Sequence, residues 1–237
     1  MQGAGPRPRA PAGAIGVLML RTAFPRPVGD IGNRNGFDAP LLFERVAGAD
    51  VDSVVHRGAE GLVPPFVKAG HALVERGARA IVTSCGLLAL HQRALADALP
   101  VPVATSSLLQ VAWVNPLLAR GKRCGVITFD ANALGAEHLA SVGAPADTPV
   151  AGMPAGGALR SAIEGDARSM DTAGVREELL ATARTLLAGD ASIGALVLEC
   201  TNLPPYAGAL RRELGLPVFD VRTMVEWMWR ACSGAAA

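Results

Sequence analysis

Two segments of the sequence follow one pattern: AIVTSC at positions 80–85 and ALVLEC at positions 195–200. Each is a short apolar run that ends in a cysteine, and such runs are typical of buried parallel strands. A helix-length segment and then a Pro-Val pair follow each, at 102–103 and 217–218, and the interval from cysteine to proline is 17 residues both times. The matched spacing indicates that one structural unit occurs twice in the chain.

The repeat extends on both sides of these segments. Upstream, IGVL at 15–18 resembles CGVI at 124–127, and downstream an apolar helix with a tryptophan follows each unit, at Trp113 and Trp227. The sequence therefore predicts an α/β fold of two pseudo-symmetric Rossmann-like halves, each a parallel sheet flanked by helices, with the active site in the cleft between them. We assign residues 14–115 plus 216–232 to the first half and 116–215 to the second.

The same periodicities predict the individual elements. Strands are predicted at 14–20, 80–84, 101–105, 124–129, 195–199 and 218–221, with a further one at 150–153. Helices are predicted at 61–76, 88–99, 107–120, 132–142, 158–164, 176–188, 206–214 and 223–232. Ligands bind beyond the carboxyl ends of the strands in open parallel sheets, so both repeated cysteines are expected to face the cleft.

Composition narrows the function classes. The chain has 237 residues and a formal net charge of +1, so nothing in the sequence indicates a nucleic-acid partner. No apolar run approaches the ~20 residues of a membrane span. We interpret residues 1–13 as a disordered tail without an export signal and expect a cytoplasmic protein with reduced thiols. The four cysteines and four histidines show no metal-ligand spacing, so no metal is expected.

Cys85 and Cys200 occupy a favourable place for reactive thiols. A residue just after a strand lies near the free N–H groups and the positive dipole end of the following helix, which favours a thiolate. A cysteine at a strand end is also often an inert, buried apolar residue, and we interpret Cys124 and Cys232 in that way. The matched positions of Cys85 and Cys200 favour the functional interpretation.

The chain resembles the aspartate/glutamate racemase superfamily over nearly all of residues 14–231. The resemblance is carried by VTSCG at 82–86 and LECTN at 198–202, with the loop at 21–30 and TFDAN at 128–132 similar to the loops after the first strand of each half. The superfamily includes aspartate, glutamate and hydantoin racemases, maleate isomerases and arylmalonate decarboxylases. The resemblance implies a small carboxylate substrate, no cofactor, catalytic Cys85 and Cys200, and a homodimer or higher homo-oligomer.

The sequence also departs from this pattern. Glutamate racemases usually have Asn-Thr after the first cysteine, where this chain has Gly86-Leu87, and a histidine two residues after the second, where it has Asn202. These differences argue against glutamate as the substrate. The decarboxylases lack one of the two cysteines, whereas both are present here, as in racemases and maleate isomerases.

Several further residues are predicted to bind the substrate. Backbone N–H groups of Gly86, Leu87, Thr201 and Asn202 could stabilise an enolate-like carboxylate, and the hydroxyls of Ser84, Thr128 and Thr201 could assist them. The two family-like loops add Pro25, Arg21 and Asn132 to the candidate set, and Arg21 with Arg26 suggests a second substrate carboxylate. Glu199 either tunes Cys200 or points away into another contact.

Three functions are consistent with these residues. The first is a cofactor-independent racemase or epimerase of a small amino acid or related carboxylate, in which one cysteine removes the α proton and the other returns one. The second is a maleate-type cis–trans isomerase, in which one thiolate adds to the double bond and later leaves. The third is a non-catalytic protein that binds a carboxylate.

Overall fold

A computed structural model describes residues 13–233 of the chain, and within them eight strands form two parallel four-stranded sheets. The strands are β1 (Ala14–Met19), β2 (Leu41–Arg45), β3 (Ala78–Thr83), β4 (Val103–Ala104), β5 (Arg123–Thr128), β6 (Val150–Gly152), β7 (Ile193–Leu198) and β8 (Val218–Phe219). The strand orders are β2-β1-β3-β4 and β6-β5-β7-β8, so the two sheets have the same topology. The predicted α/β fold of two similar halves is confirmed.

The helices flank both sheets. They are α1 (Val63–Glu75), α2 (Gln92–Ala98), α3 (Leu109–Val114), α4 (Ala136–Ser141), α5 (Ala158–Glu164), α6 (Thr172–Gly189), α7 (Ala207–Leu214) and α8 (Val221–Cys232). Short 3-10 segments lie at Arg34–Gly36, Gly86–His91, Asn115–Leu117 and Pro204–Tyr206, and one π-helical turn lies at Asp52–His56. No helix in the described part of the chain is long and apolar enough to cross a bilayer.

A glycine at the same point of each half lets a neighbouring side chain pack against the strand. A Cβ on Gly16 of β1 would come within 2.6 Å of Ile81 Cδ1, and one on Gly125 of β5 would come within 2.9 Å of Ile193 Cδ1. Both distances are shorter than carbon atoms tolerate. Packing therefore requires the glycine that IGVL and CGVI share, and the repeat has it in both halves.

The last helix of each repeat packs on the sheet of the other half. Val111 and Val114 of α3 and the adjacent Leu108 lie in a core with strands β5 and β7 of the second sheet. Val221 and Val225 of α8 lie in a core with β1 and β3 of the first sheet. This exchange ties the two sheets together through apolar burial, the main stabilising term of such cores.

The predicted placement of 216–232 with the first half is wrong for its first strand. β8 pairs with β7 and so belongs to the second sheet, whereas α8, which follows it, packs on the first sheet. The repeat itself indicates the second sheet, because β8 follows β7 at the spacing at which β4 follows β3, and each pairs with the strand before it. The predicted tail at 1–13 lies outside the described residues except for Gly13.

Several element predictions differ from the structure, and a missing strand and an early helix end have clear physical reasons. The edge strand β2 was not predicted, because its five residues are only partly buried and its apolar run, Leu41 to Phe43, is short. The helix predicted at 107–120 ends at Val114, and a 3-10 turn containing Pro116 follows. Proline has no N–H group to continue an α-helix, which accounts for the earlier end.

Candidate active site

One cavity lies where the carboxyl ends of the strands of both sheets meet. The space between its protein atoms, including the part that is open solvent, is about 410 Å³. Its walls come from both halves and from the loop after β1. They are formed by Leu20, Thr22, Phe24, Arg26, Val51, Val55, Ser84, Cys85, Gly86, Leu87, Phe129, Ile163, Glu199, Cys200, Thr201 and Asn202.

The first half contributes Cys85, two residues after the end of β3. Its thiol faces the N–H groups of Leu87 and Leu88, which begin the 3-10 segment Gly86–His91 and lower the thiol's pKa. Burial raises that pKa more strongly, and the nearby carboxylate of Glu199 raises it further, to about 12. The thiol of Cys85 is therefore protonated in the ligand-free cavity at neutral pH.

The second half contributes Cys200, two residues after the end of β7. Its Sγ–H donates to Asn202 Oδ1 at 3.6 Å, and the Asn202 amide donates in turn to the buried Asp30 carboxylate at 2.6 Å. Asp30 is paired with Arg26 at 3.0 Å. Burial raises the pKa of Cys200 well above its usual value, and Glu199, Cys85 and Asp30 act in the same direction.

The sequence predicts that a helix N-terminus helps one cysteine to form a thiolate, but the pKa of each cysteine is raised. A short 3-10 segment begins after Cys85, and a turn follows Cys200, so neither thiol lies at the end of a full α-helix. The N–H group of Asn202 lowers the pKa of Cys200, but loss of water contact outweighs it.

Hydrogen bonds across the seam, the contact between the two halves, fix the ends of β3 and β7 relative to each other. The hydroxyl of Thr201 donates to the Ser84 carbonyl at 2.7 Å, and that of Ser107 donates to the Leu198 carbonyl at 2.6 Å. Ser84 Oγ accepts the N–H of Leu20 at 2.9 Å. These buried bonds hold both cysteine-bearing turns at a defined separation.

Glu199 is the carboxylate of the cavity wall. Its side chain is 1% exposed, and Oε2 accepts the hydroxyl of Thr128 at 2.6 Å. Burial raises its pKa to about 7, although the Thr128 hydroxyl and the Phe129 N–H favour the ionised form. Since β7 ends at Leu198, Glu199 lies beyond the strand, where the alternation of side chains no longer fixes its direction.

Most residues predicted for the site line the cavity. Those that do so are Ser84, Cys85, Gly86, Leu87, Cys200, Thr201 and Asn202. Thr128 is fully buried behind the wall and reaches the cavity only through its bond to Glu199.

Three predicted residues lie elsewhere. Arg21 is exposed and pairs with Asp50 at 2.7 Å, Asn132 is exposed, and Pro25 is absent from the cavity wall. The loop after β1 turns over the cavity at Phe24, whose N–H donates to Asp166 Oδ1 at 3.1 Å. Arg26 lines the cavity and donates to Asp30 Oδ1 at 3.0 Å and to Thr22 Oγ1 at 2.9 Å, whereas Arg21 remains outside.

Several wall residues were not predicted as ligands of the substrate. Val51 and Val55 come from the π-helical turn region, and Phe129 and Ile163 come from the second half. Apolar residues of this kind carry no spacing signal in a single sequence. Arg26 had a signal, since it was noted with Arg21, and Asp30 lies in the loop that the resemblance marked.

Comparison with solved structures identifies the fold. The chain superposes on a sulfate-associated mutant of arylmalonate decarboxylase with a TM-score of 0.64 and 18% identity over 94% of each chain. Glutamate racemase from Bacillus anthracis matches with a TM-score of 0.54 and 20% identity over 90% of this chain and 79% of that one. The protein has the fold of the aspartate/glutamate racemase superfamily, as the sequence motifs indicated. No protein-family model matches the chain.

Curated sequence relatives carry a different activity in their names. The chain is 26% identical to dimethylsulfoniopropionate lyase 5 of Emiliania huxleyi, over 92% of this chain and 45% of that protein. It is 22% identical to a dimethylsulfoniopropionate lyase of Durusdinium sp. clade D, over 95% of this chain and 77% of that protein. The chain thus spans about half the length of the first of these relatives.

Proposed function

We propose that the chain is a cofactor-independent enzyme that removes a proton from the carbon next to a carboxylate, with Cys85 and Cys200 as its acid and base. The observation that carries this proposal is the shared cavity: two thiols from matching strand ends line one space together with backbone N–H donors. Removal of such a proton creates an enolate-like carboxylate, which needs donors aimed at its oxygens. The N–H groups after each cysteine face its sulfur and lie beside the same space, where they could also reach such oxygens.

Elimination of a group from the neighbouring carbon is the outcome we favour. In that reaction a thiolate takes the α proton, the C–H electron pair forms the Cα=Cβ bond, and the bond from Cβ to the leaving group breaks with its electrons. A sulfonium substituent leaves as a neutral thioether, so dimethylsulfoniopropionate would give dimethyl sulfide and acrylate. The thiol then returns its proton to solvent, and no other reactant is consumed.

The charges of the cavity favour a substrate of this type. Arg26 is the cation of the wall, and it is already paired with Asp30, so a substrate with two carboxylates would lack a free partner. Within residues 13–233, Glu199 makes no salt bridge, and a substrate with a single carboxylate adds less negative charge beside it than a substrate with two. Much of the remaining wall is apolar and suits an alkylated leaving group.

Racemisation or epimerisation of a small amino acid or related carboxylate is the second candidate. It is favoured by the presence of both thiols in one cavity, because proton return to the opposite face requires a second acid. The shared fold with aspartate and glutamate racemases is consistent with it. Addition of one thiolate to a maleate-type double bond would use the same cavity, as would binding without turnover.

One set of assays separates these outcomes. Purified protein is incubated with dimethylsulfoniopropionate, and dimethyl sulfide is measured by gas chromatography and acrylate by proton NMR. In parallel, amino acids and maleate are incubated in heavy water, and incorporation of α-deuterium and loss of the cis isomer are followed by NMR. Elimination predicts release of both products, whereas racemisation predicts deuterium incorporation without them.

Substitution of each thiol tests the mechanism itself. In elimination one cysteine is the base, so Cys85→Ala and Cys200→Ala should give unequal losses, the larger about 10²–10⁴-fold. In racemisation either substitution should abolish turnover. Cys232→Ala, in α8 outside the cavity wall, is the matched control and should retain full activity. Full activity in both cavity variants would exclude the two-thiol mechanism.

A further inference from the structure

Glu199 occupies the seam between the halves and contacts both. Its Oε2 accepts the Thr128 hydroxyl at the end of β5 in the second half. Its Oε1 lies against Gly86 of the first half, only 2.3 Å from where a Cβ on that glycine would stand. The carboxylate therefore fills the space beside the cysteine-bearing turn, and Gly86 is the residue type that leaves room for it.

The same carboxylate is coupled to both thiols by charge. Its ionised form raises the pKa of Cys85 and that of Cys200. The other charged groups that act on these thiols are Arg26, which favours the thiolate of Cys85, and Asp30, which disfavours that of Cys200. In a buried cavity, acids that repel one another in this way share a single negative charge.

We propose that Glu199 is a positioning residue that holds the negative charge of the empty cavity and takes up one proton when a substrate carboxylate enters. The carboxylate of the substrate and that of Glu199 cannot both be ionised at low cost in one enclosed space. Neutral Glu199 no longer opposes ionisation of the thiols, and the substrate carboxylate takes its place as the negative charge of the cavity. This inference rests on the proposed use of the cavity for a carboxylate.

The direction of the pH dependence follows. The pKa of Glu199 in the empty cavity is about 7, so at pH 8 the side chain is mostly ionised and at pH 5.5 it is mostly protonated. A bound carboxylate raises that pKa further. Proton uptake on binding should therefore be near zero at pH 5.5, rise through pH 7 and approach one proton at pH 8.

Calorimetry with propionate, a substrate-like carboxylate without a leaving group, measures this uptake. Binding heats are compared in phosphate and Tris buffers, whose different ionisation enthalpies report the protons exchanged. We expect wild-type protein to take up about one proton at pH 8, whereas Glu199→Gln should take up none and bind propionate equally at both pH values. Uptake that is absent in wild type, or unchanged in Glu199→Gln, would overturn the inference.

Thiol alkylation tests the charge coupling without any substrate-like ligand. Iodoacetamide is neutral, so its rate reports the thiolate fraction at each cysteine, read by peptide mass spectrometry. Loss of the Glu199 charge should raise the rates at Cys85 and Cys200 at pH 8 by about tenfold or more. Cys232 is the internal reference, and Glu177→Gln, an exposed carboxylate on α6 paired with Arg176, is the matched control variant. Unchanged rates at both cavity thiols would contradict the coupling.

A second variant protects the test against misfolding of Glu199→Gln. Thr128→Val keeps the shape but removes the hydroxyl that favours the ionised carboxylate, so the midpoint of proton uptake should move above pH 7. A midpoint that stays or falls would count against the inference. Failure of the proposed function alone has a different signature: the alkylation rates respond to Glu199→Gln, but neither propionate binding nor turnover is observed.

Discussion

The two halves place different side chains at one equivalent point, directly before the catalytic candidates. The N–H of Ser84 donates to the Leu18 carbonyl at 3.0 Å, and the N–H of Glu199 donates to the Ile127 carbonyl at 2.8 Å. The Ser84 hydroxyl accepts the N–H of Leu20, and the Glu199 carboxylate accepts that of Phe129. The backbone positions therefore match, but one half carries a neutral hydroxyl and the other an acid.

The residue after each cysteine also differs between the two halves. The second half has Thr201, whose hydroxyl donates to the Ser84 carbonyl. The first half has Gly86, where a side chain would overlap Glu199. A symmetric scaffold thus delivers two thiols, while one asymmetric pair, Glu199 with Gly86, determines the charge between them. The repeated elements therefore set the positions of the two thiols, and the residues that differ between the halves set the charge near them.

Of the substitutions considered, a side chain at Gly86 should have the largest effect on stability and turnover, because it displaces Glu199. In Gly86→Ala the new Cβ would lie 2.3 Å from Glu199 Oε1 and 2.5 Å from the Glu199 carbonyl oxygen, and the backbone atom cannot move aside easily. We expect a loss of about 3 kcal/mol in the free energy of unfolding. Turnover should fall more than a hundredfold, an estimate at the lower end of acid–base effects.

Urea unfolding and activity assays measure both effects. Gly189→Ala at the end of α6 is the control, because a Cβ there meets no atom within 4 Å. Wild-type stability in Gly86→Ala would show that the contact with Glu199 yields readily and does not determine the geometry of the site.

The neutral half should respond less to loss of its equivalent side chain. Ser84→Ala removes the acceptor for the buried N–H of Leu20, which costs about 1 kcal/mol where water from the cavity can partly replace it. The uptake of a proton with propionate should stay as in wild type, because the carboxylate of Glu199 is untouched.

Chemical unfolding and calorimetry give the two readouts. Ser161→Ala is the control, since its hydroxyl donates to the Gly156 carbonyl at the exposed surface. A shift in the pH dependence of Ser84→Ala would mean that the halves share the titration, and the proposed asymmetry would be wrong.

The sequence predicted the symmetric features well and the asymmetric ones poorly. Repeated apolar runs at 80–85 and 195–200 located the sheets and both cysteines, because burial of parallel strands imposes a local pattern. Which way Glu199 points depends on contacts with segments far apart in the chain, at Thr128 and Gly86. No local pattern encodes such contacts.

The loop after β1 shows the same limit at the level of single residues. Arg21 and Arg26 are equally plausible as ligands in the sequence, yet only Arg26 faces the cavity. Arg26 is held there by Asp30, and the loop is anchored by bonds from the Ala23 and Phe24 N–H groups to Asp166, which lies 142 positions after Phe24. The expected homo-oligomerisation stays a prediction. The stacked rings of Trp113 and Trp227, with centroids 6.2 Å apart, show where the repeated helices meet.

The smallest expected effect concerns Arg21. It tests whether this residue binds the substrate, as the sequence predicted, or lies outside the cavity wall, as in the structure. Its side chain is 74% exposed, and its partner Asp50, whose pKa is lowered chiefly by hydrogen bonds with Ser53, lies outside the cavity wall. Exposed ion pairs contribute about 0–1 kcal/mol, so Arg21→Ala should change the free energy of unfolding by no more than that. Propionate affinity and turnover should equal those of wild type in calorimetry and activity assays. A tenfold weaker affinity would instead place Arg21 over the bound carboxylate, which requires the loop to close differently around a ligand than it does in the empty cavity.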